Sequence, residues 1–416
     1  MSNHSNANGG AIENDGQISD IKTLFYDNSA SHVDDYGVDS DEGDEYHGGA
    51  IYNDTNGKIT NVNSNFDINK AQRHGGGIYN AGEITNLHSD FSGNTADDCG
   101  GGIYNSGKIT SVKGNFTSNE AVGNGHGSEH ASTYIGSGGG IYNTADGKIT
   151  TINSKFESNV AEKYGGAIFN EGEIASVKGE FTDNVGSYKG GAIYNRGTLG
   201  SAEATAPAIE ANFKGNRSGE GGAILNASNS TIYGIKGNFE NNKAEIITGE
   251  TVAGGAISNQ GTITYINGNF KSNSTLRDGG AINNSSGLIS TKGNFSNNTA
   301  QNNGGAIYNK GTMGLIDVDN PAIVGNFTNN VAKVGGAIYN DSNSTIYGIK
   351  GDFIGNESTA PVEDTDGGGA IHNKRSITYI KGNFTGNKAN SYGGAIHNAE
   401  TADIESIVGN LNQILL

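Results

Sequence analysis

One phrase returns fourteen times along the 416 residues. It is first met as Gly9-Gly10-Ala11-Ile12-Glu13-Asn14, then as Gly48-Gly49-Ala50-Ile51-Tyr52-Asn53, and last as Gly393-Gly394-Ala395-Ile396-His397-Asn398. Between copies stands a second phrase, Phe-x-x-Asn: Phe25 with Asn28, Phe66 with Asn69, Phe91 with Asn94, on to Phe384 with Asn387. Thirteen of the 14 Phe residues fill that slot, and Phe169 is the exception. A period this strict makes the chain a stack of like units, each touching mainly its sequence neighbours.

The commonest period is 25 residues, as from Gly75 to Gly100, Gly254 to Gly279 and Gly368 to Gly393. Each unit carries three apolar anchors in short segments bounded by Gly or Asn, for example Ile78, then Ile84 with Leu87, then Phe91. No helical spacing of apolar residues persists, and β-branched residues dominate. The period is too short for a four-stranded propeller blade, and Leu is too scarce for a leucine-rich repeat. What remains is an all-β fold, a right-handed parallel β-helix of about 14 coils with three strands per coil, the hand being that favoured by parallel crossovers. Coils spaced at about 4.8 Å would stack to roughly 65 Å.

Composition fits this reading. With 68 Gly and 3 Pro, the turns are made by Gly and Asn, and Gly does not recur at every third position as collagen requires. A net charge of −18 repels nucleic acid and anionic lipid, so neither is an expected partner. The single cysteine, Cys99, precludes an internal disulfide and has no His or Lys arranged around it in sequence. No apolar run is long enough for a transmembrane helix, and residues 1–8 lack an apolar signal core.

The repeat gives each slot a physical task. Ile12, Ile51, Ile78 and Ile103 should stack inward, with the Phe series, including Phe66, Phe91 and Phe116, beside them. Asn53, Asn80 and Asn105 should stack amide on amide. The paired Gly residues suit a positive φ or a close approach of coils. A column of partly alternating charge, Lys58, Glu83, Lys108, Lys148 and Glu173, should lie outside. Tyr52, Tyr79, Tyr104 and Tyr142 fall at one phase of consecutive coils and are expected to face outward, a candidate binding column for protein or glycan.

The expected organisation is a disordered segment or preceding-coil remnant at 1–8 and a single parallel β-helix at 9–416. Insertions lie near 29–47, 120–137, 200–211, 244–253, 314–325 and 357–366. Their order repeats: 9–99 parallels 100–189, and 190–303 parallels 304 onward, as if blocks of coils had been duplicated. Because the last repeat is still running at Leu416, the chain is expected to be part of a longer one.

Chemical motifs are sparse. His126, Glu129 and His130 have metalloprotease spacing, but that chemistry needs a helix, and the motif sits in a Gly/Ser loop. Asp39, Asp41 and Asp44 belong to an acidic cluster that misses the EF-hand spacing and would hold Ca²⁺ at best weakly. No other cofactor is expected. The outward slots after each Phe bring no carboxylate pair onto adjacent coils, so acid–base catalysis is not expected.

The alternation of Gly-Gly-Ala-Ile with Phe-x-x-Asn resembles the passenger repeats of the chlamydial polymorphic outer membrane proteins, and more broadly autotransporter passengers. The likeness covers Gly9 to Asn410; only the last coil departs, with Leu411 in the Phe slot. The resemblance implies a right-handed β-helical passenger exported to the cell surface at the outer membrane, with a role in adhesion to a host protein or glycan receptor. It also implies a signal segment and a membrane-anchoring C-terminal barrel, neither of which lies within these residues. The expected function is therefore a non-enzymatic, adhesin-like surface passenger. The alternatives are a carbohydrate-active β-helix enzyme, lyase or glycosidase, and a structural spacer.

Overall fold

The structure, a computed structural model, describes residues 2–31, 46–124, 134–245, 253–316 and 320–412, and the chain divides into two compact units, Met1–Glu203 and Ala204–Leu416. Among the described residues there is no helix, and every strand pairing is parallel.

In the first unit, one sheet is built from the Ile-x-Asn segments Ile12–Asn14, Ile51–Asn53, Ile78–Asn80, Ile103–Asn105, Ile141–Asn143, Ile168–Asn170 and Ile193–Asn195. They pair Ile on Ile and Asn on Asn. The second sheet holds both of the remaining anchors. In one coil they form Glu83–His88 and Asp90–Ser92, and in the next they fuse into the continuous strand Lys108–Thr117. The third sheet consists of very short strands, Ser29–Ala30, Lys70–Ala71, Thr95–Ala96, Glu120–Ala121 and Val160–Ala161, which follow the Phe-x-x-Asn phrase. Each coil thus gives a segment to each of three sheets, but the Phe anchor shares a sheet with the Ile-Leu pair and a buried Ala marks the third. His4–Ser5 pairs with Ser29–Ala30, so the residues before the first Gly-Gly already carry a strand of this third sheet.

The second unit repeats the plan. Ile224–Asn226, Ile257–Asn259, Ile282–Asn284, Ile307–Asn309, Ile338–Asn340, Ile371–Asn373 and Ile396–Asn398 form its Ile sheet in the same register. Phe239, Phe270, Phe295, Phe327, Phe353 and Phe384 pair in succession, and Leu411 pairs with Phe384. The fold is a parallel β-helix.

Identical side chains stacked in register form the core. Phe rings lie almost parallel at 4.6 Å (Phe66 on Phe91) and 4.8 Å (Phe270 on Phe295), with both partners fully buried in each case. Two chains of buried amides run alongside. In the Ile sheet, Asn53 Nδ2 donates to Asn80 Oδ1 at 2.7 Å and Asn80 Nδ2 to Asn105 Oδ1 at 2.8 Å. In the Phe-x-x-Asn series, Asn69 Nδ2 donates to Asn94 Oδ1 at 2.8 Å, and Asn94 Nδ2 to both Asn119 Oδ1 at 2.9 Å and the Phe66 carbonyl at 2.7 Å. A buried amide unmatched would be costly; each here meets its partner on the next coil.

The Gly pair has two separate causes. Gly75 has φ +71°, and a Cβ there would lie 2.4 Å from the Ile78 carbonyl oxygen. At Gly76 a Cβ would meet the Gly101 carbonyl oxygen of the next coil at 2.3 Å. The first Gly makes the corner and the second lets the coils close.

The third residue of Phe-x-x-Asn also turns left-handed: Asp27, Ser118, Ser158 and Asp183 all have φ between 53° and 56°, and so does β-branched Ile68 at 50°. Ile68 is 46% exposed, so it gains little from burial. Ile68→Gly is expected to stabilise the protein by about 1 kcal/mol, because Gly accepts the left-handed region freely. A denaturant midpoint at or below wild type would contradict this.

Candidate functional site

In each Ile-x-Asn strand the side chains alternate, so Ile enters the core and the following residue takes the opposite face. That face was expected to display a Tyr column to solvent. The rings do stack, Tyr52 on Tyr79 at 4.9 Å, Tyr79 on Tyr104 at 5.0 Å and Tyr104 on Tyr142 at 5.2 Å. They are not exposed, however: Tyr52 and Tyr142 are buried, and Tyr79 and Tyr104 are half-buried. For Tyr79 and Tyr104 the cover comes from the residue just before a Gly-Gly corner. The His47 ring lies 4.6 Å from Tyr79 and the His74 ring 4.4 Å from Tyr104, forming a second aromatic layer over the first. Two buried and two half-buried tyrosines are not a free recognition surface. The column continues through Phe169 and Tyr194, so the one Phe outside the Phe-x-x-Asn phrase stands in for a Tyr.

The column is closed by a charged cluster. Tyr142 Oη donates to Glu171 Oε2 at 2.7 Å, Arg196 pairs with Glu171, and the Arg196 guanidinium lies 4.3 Å from the centre of the Tyr134 ring. Burial pushes the phenols of Tyr104 and Tyr142 far above the usual tyrosine range, with further help from neighbouring Tyr79, Cys99 and Glu171. Burial likewise pushes the Cys99 thiol up to about 12, so it is not a nucleophile at neutral pH.

These phenols set a pH dependence. Unfolded tyrosines ionise near pH 10, whereas the folded ones stay neutral beyond it. Above that pH the unfolded state binds fewer protons, and stability falls as pH rises, by about 1.4 kcal/mol per pH unit for each such Tyr. Urea midpoints should therefore begin to fall at about pH 8.5, where the unfolded Cys99 thiol ionises, and drop more steeply beyond about pH 10. The double variant Tyr104→Phe, Tyr142→Phe should drop less steeply, and a slope equal to that of wild type would refute the assignment.

The second unit has the same column with different occupants: Leu225, Ser258, Asn283, Tyr308, Tyr339, His372 and His397. Buried Glu220 accepts from Ser258 Oγ and Gln260 Nε2, each at 2.7 Å. Tyr308 Oη donates to Asp341 Oδ2 at 2.6 Å. At the far end two imidazoles replace phenols. His372 is fully buried, its ring 5.0 Å from Tyr339, and its Nδ1 lies 3.1 Å from His397 Nδ1. Asp366 Oδ1 lies 3.6 Å from His372 Nε2, and Lys374 Nζ takes the other oxygen, Oδ2, at 3.1 Å. Burial pushes the His372 imidazole down to about 4 and also lowers that of His397, so both rings are neutral at pH 7.

Other expected sites fall out differently. Asp39, Asp41 and Asp44, and the His126, Glu129 and His130 motif, lie outside the described residues. Asn53, Asn80 and Asn105 and Phe66, Phe91 and Phe116 are fully buried in the ladders. The outer charge column pairs across coils, Lys108 with Glu83 at 2.9 Å and Lys148 with Glu173 at 3.2 Å, and borders a shallow groove also lined by Thr55, Lys58 and Asp146. The grouping of Asp366, His372 and His397 was missed in the sequence. The signal available was the change from Tyr to His at one phase of two successive coils.

Four of the six insertions share a phase. Those near 29–47 and 120–137 both begin at the short Ala strands, Ser29–Ala30 and Glu120–Ala121, which belong to one ladder of the first unit. In the second unit the insertions near 244–253 and 357–366 leave from Lys243–Ala244 and Glu357–Ser358 of the corresponding ladder. Exposed apolar side chains gather on insertions of the second unit: Leu315, Ile316 and Val362.

Five segments, 88–106, 153–171, 179–196, 293–310 and 325–341, match the Chlamydia polymorphic membrane protein repeat. Each spans a stretch from the Phe sheet to the next Ile-x-Asn strand. No curated protein and no solved structure matches the chain significantly.

Proposed function

Because the chain is built from repeats of the Chlamydia polymorphic membrane protein type, we propose that it is the passenger of a bacterial surface protein, a non-enzymatic scaffold that holds binding loops at the outer membrane and acts as an adhesin. One observation carries this reading: the two longest insertions of the first unit, and those near 244–253 and 357–366 in the second, each spring from the short Ala ladder of their unit, at the same corner of the coil. Ala30 and Ala121 are three rungs apart along it, so about 14 Å separates the two roots. A rigid frame presenting variable loops at a fixed spacing suits recognition of a host protein or glycan. The exposed Leu315, Ile316 and Val362 supply apolar contact on the second unit.

The test replaces residues 31–46 and 122–136 by the short connection that follows Ala96. Beads coated with wild-type protein should attach to host cells or matrix glycans, and beads with the shortened loops should attach several-fold less. Circular dichroism should be unchanged, since the ladders are retained. If wild-type beads adhere no better than bare beads, the adhesin reading fails and the spacer reading replaces it.

A further inference from the structure

We propose that Asp366, His372 and His397 form a binding site for one divalent transition-metal ion of the Zn²⁺ class, joining the last two Ile-x-Asn strands of the second unit.

The backbone register brings the imidazoles together: His372 pairs with His397, as Ile371 does with Ile396 and Asn373 with Asn398. Their rings are 4.8 Å apart and inclined by 60°, which turns two nitrogens toward each other. One donor atom from each of the three residues lies within 4.8 Å of the other two. One contact is already near that of a metal site: Asp366 Oδ1 is 3.6 Å from His372 Nε2, whereas donors around a tetrahedral Zn²⁺ are separated by about 3.3 Å. The Nδ1 atoms, 3.1 Å apart, lie on the other edge of the His372 ring and hold the two imidazoles together.

The surroundings point the same way. His372 is completely buried, and its Nε2 has no hydrogen-bond partner. The proton count makes this uncomfortable for the metal-free protein. If His372 Nδ1 donates to His397, its bare Nε2 lone pair faces the Asp366 carboxylate. If His397 donates instead, the His372 Nε2–H points at an oxygen 3.6 Å away, too far for a hydrogen bond. A cation beside His372 Nε2 and Asp366 Oδ1 would take that lone pair and offset the carboxylate charge. Two imidazoles and one carboxylate are the donor set of borderline metals rather than of Ca²⁺ or Mg²⁺. Lys374 holds Asp366 Oδ2 and leaves Oδ1 toward His372. Tyr339 below His372 and Tyr392, 5.6 Å from His397, fix the ring planes. Asp366 and His397 are only half-buried, so water can complete the coordination.

The experiment is calorimetric titration of the full 416-residue chain with ZnCl₂. Wild type should bind Zn²⁺. Asp366→Asn and His397→Ala should each weaken that binding at least ~10-fold or remove one equivalent. His74→Gln, in the first unit, should change nothing. Zn²⁺ should raise the unfolding midpoint of wild type but not of the two site variants. Asp366→Asn preserves shape and lies on an insertion, and unfolding midpoints in EDTA equal to wild type will confirm that the fold is kept. Failure of wild type to bind Zn²⁺, or unchanged binding and stabilisation in Asp366→Asn and His397→Ala, overturns the proposal.

Discussion

Phe270→Ala is expected to lower the free energy of unfolding by about 3–5 kcal/mol, the range for a fully buried aromatic cut to Ala. The ring of Phe270 is sandwiched between Phe239 and Phe295, each 4.8 Å away, so its removal leaves a cavity with a ring on both sides. Neither neighbour can move to fill it, because each is held by its own coil and by the next ring in the stack. Phe25→Ala should cost less. Phe25 stacks on Phe66 at 4.7 Å and is 4% exposed, so solvent already reaches it. Denaturant unfolding of both variants checks this. Equal losses would mean that the Phe stack does not act as a chain of nearest-neighbour contacts.

A second large loss is expected for Asn94→Ala. Asn94 Oδ1 accepts from the backbone N–H of Asn69 at 3.0 Å and from Asn69 Nδ2 at 2.8 Å, while its own Nδ2 serves the Phe66 carbonyl and Asn119. Removal of the amide deprives several buried groups of a partner at once, at about 1–3 kcal/mol each. Asn94→Asp should be no better despite its matching shape. A carboxylate cannot donate to Phe66 or Asn119, and its charge would be buried without a cation. A loss below ~1 kcal/mol for Asn94→Ala would show that water replaces the missing amide.

The two ladders that carry these predictions were legible in the sequence because their residues are large or chemically distinctive and return at a fixed phase. Ile78, Phe91 and Asn80 announce themselves at every turn. The Ala sheet was not legible: Ala30, Ala71 and Ala96 lie in two-residue strands, and a methyl group leaves little apolar signal. Alternation correctly put Tyr52 and Tyr142 on the face opposite Ile, but it carries no information about what covers that face. His47 and His74 lie outside the strands they shield, so only the folded chain shows them above the tyrosines. The Asp366, His372 and His397 group was hidden for a similar reason. Asp366 sits on an insertion, and a 25-residue gap separates the histidines until register closes it.

The amide chains also have a direction. In the first unit Asn14 gives its Nδ2–H to Asn53, Asn53 to Asn80, and Asn80 to Asn105; in the second, Asn226 gives to Asn259 and Asn259 to Asn284. In this chain of Ile-x-Asn amides each Nδ2–H points toward the later coil and each Oδ1 toward the earlier one, although backbone N–H groups point both ways, Gly48 to His74 and Lys70 to Asn28. Within each unit, therefore, the Ile-x-Asn amide offers an oxygen on one face of a coil and an N–H on the other. A further coil, whether from the same chain or from another, continues this amide chain only when it docks head to tail, with a donor meeting the oxygen or an acceptor meeting the N–H.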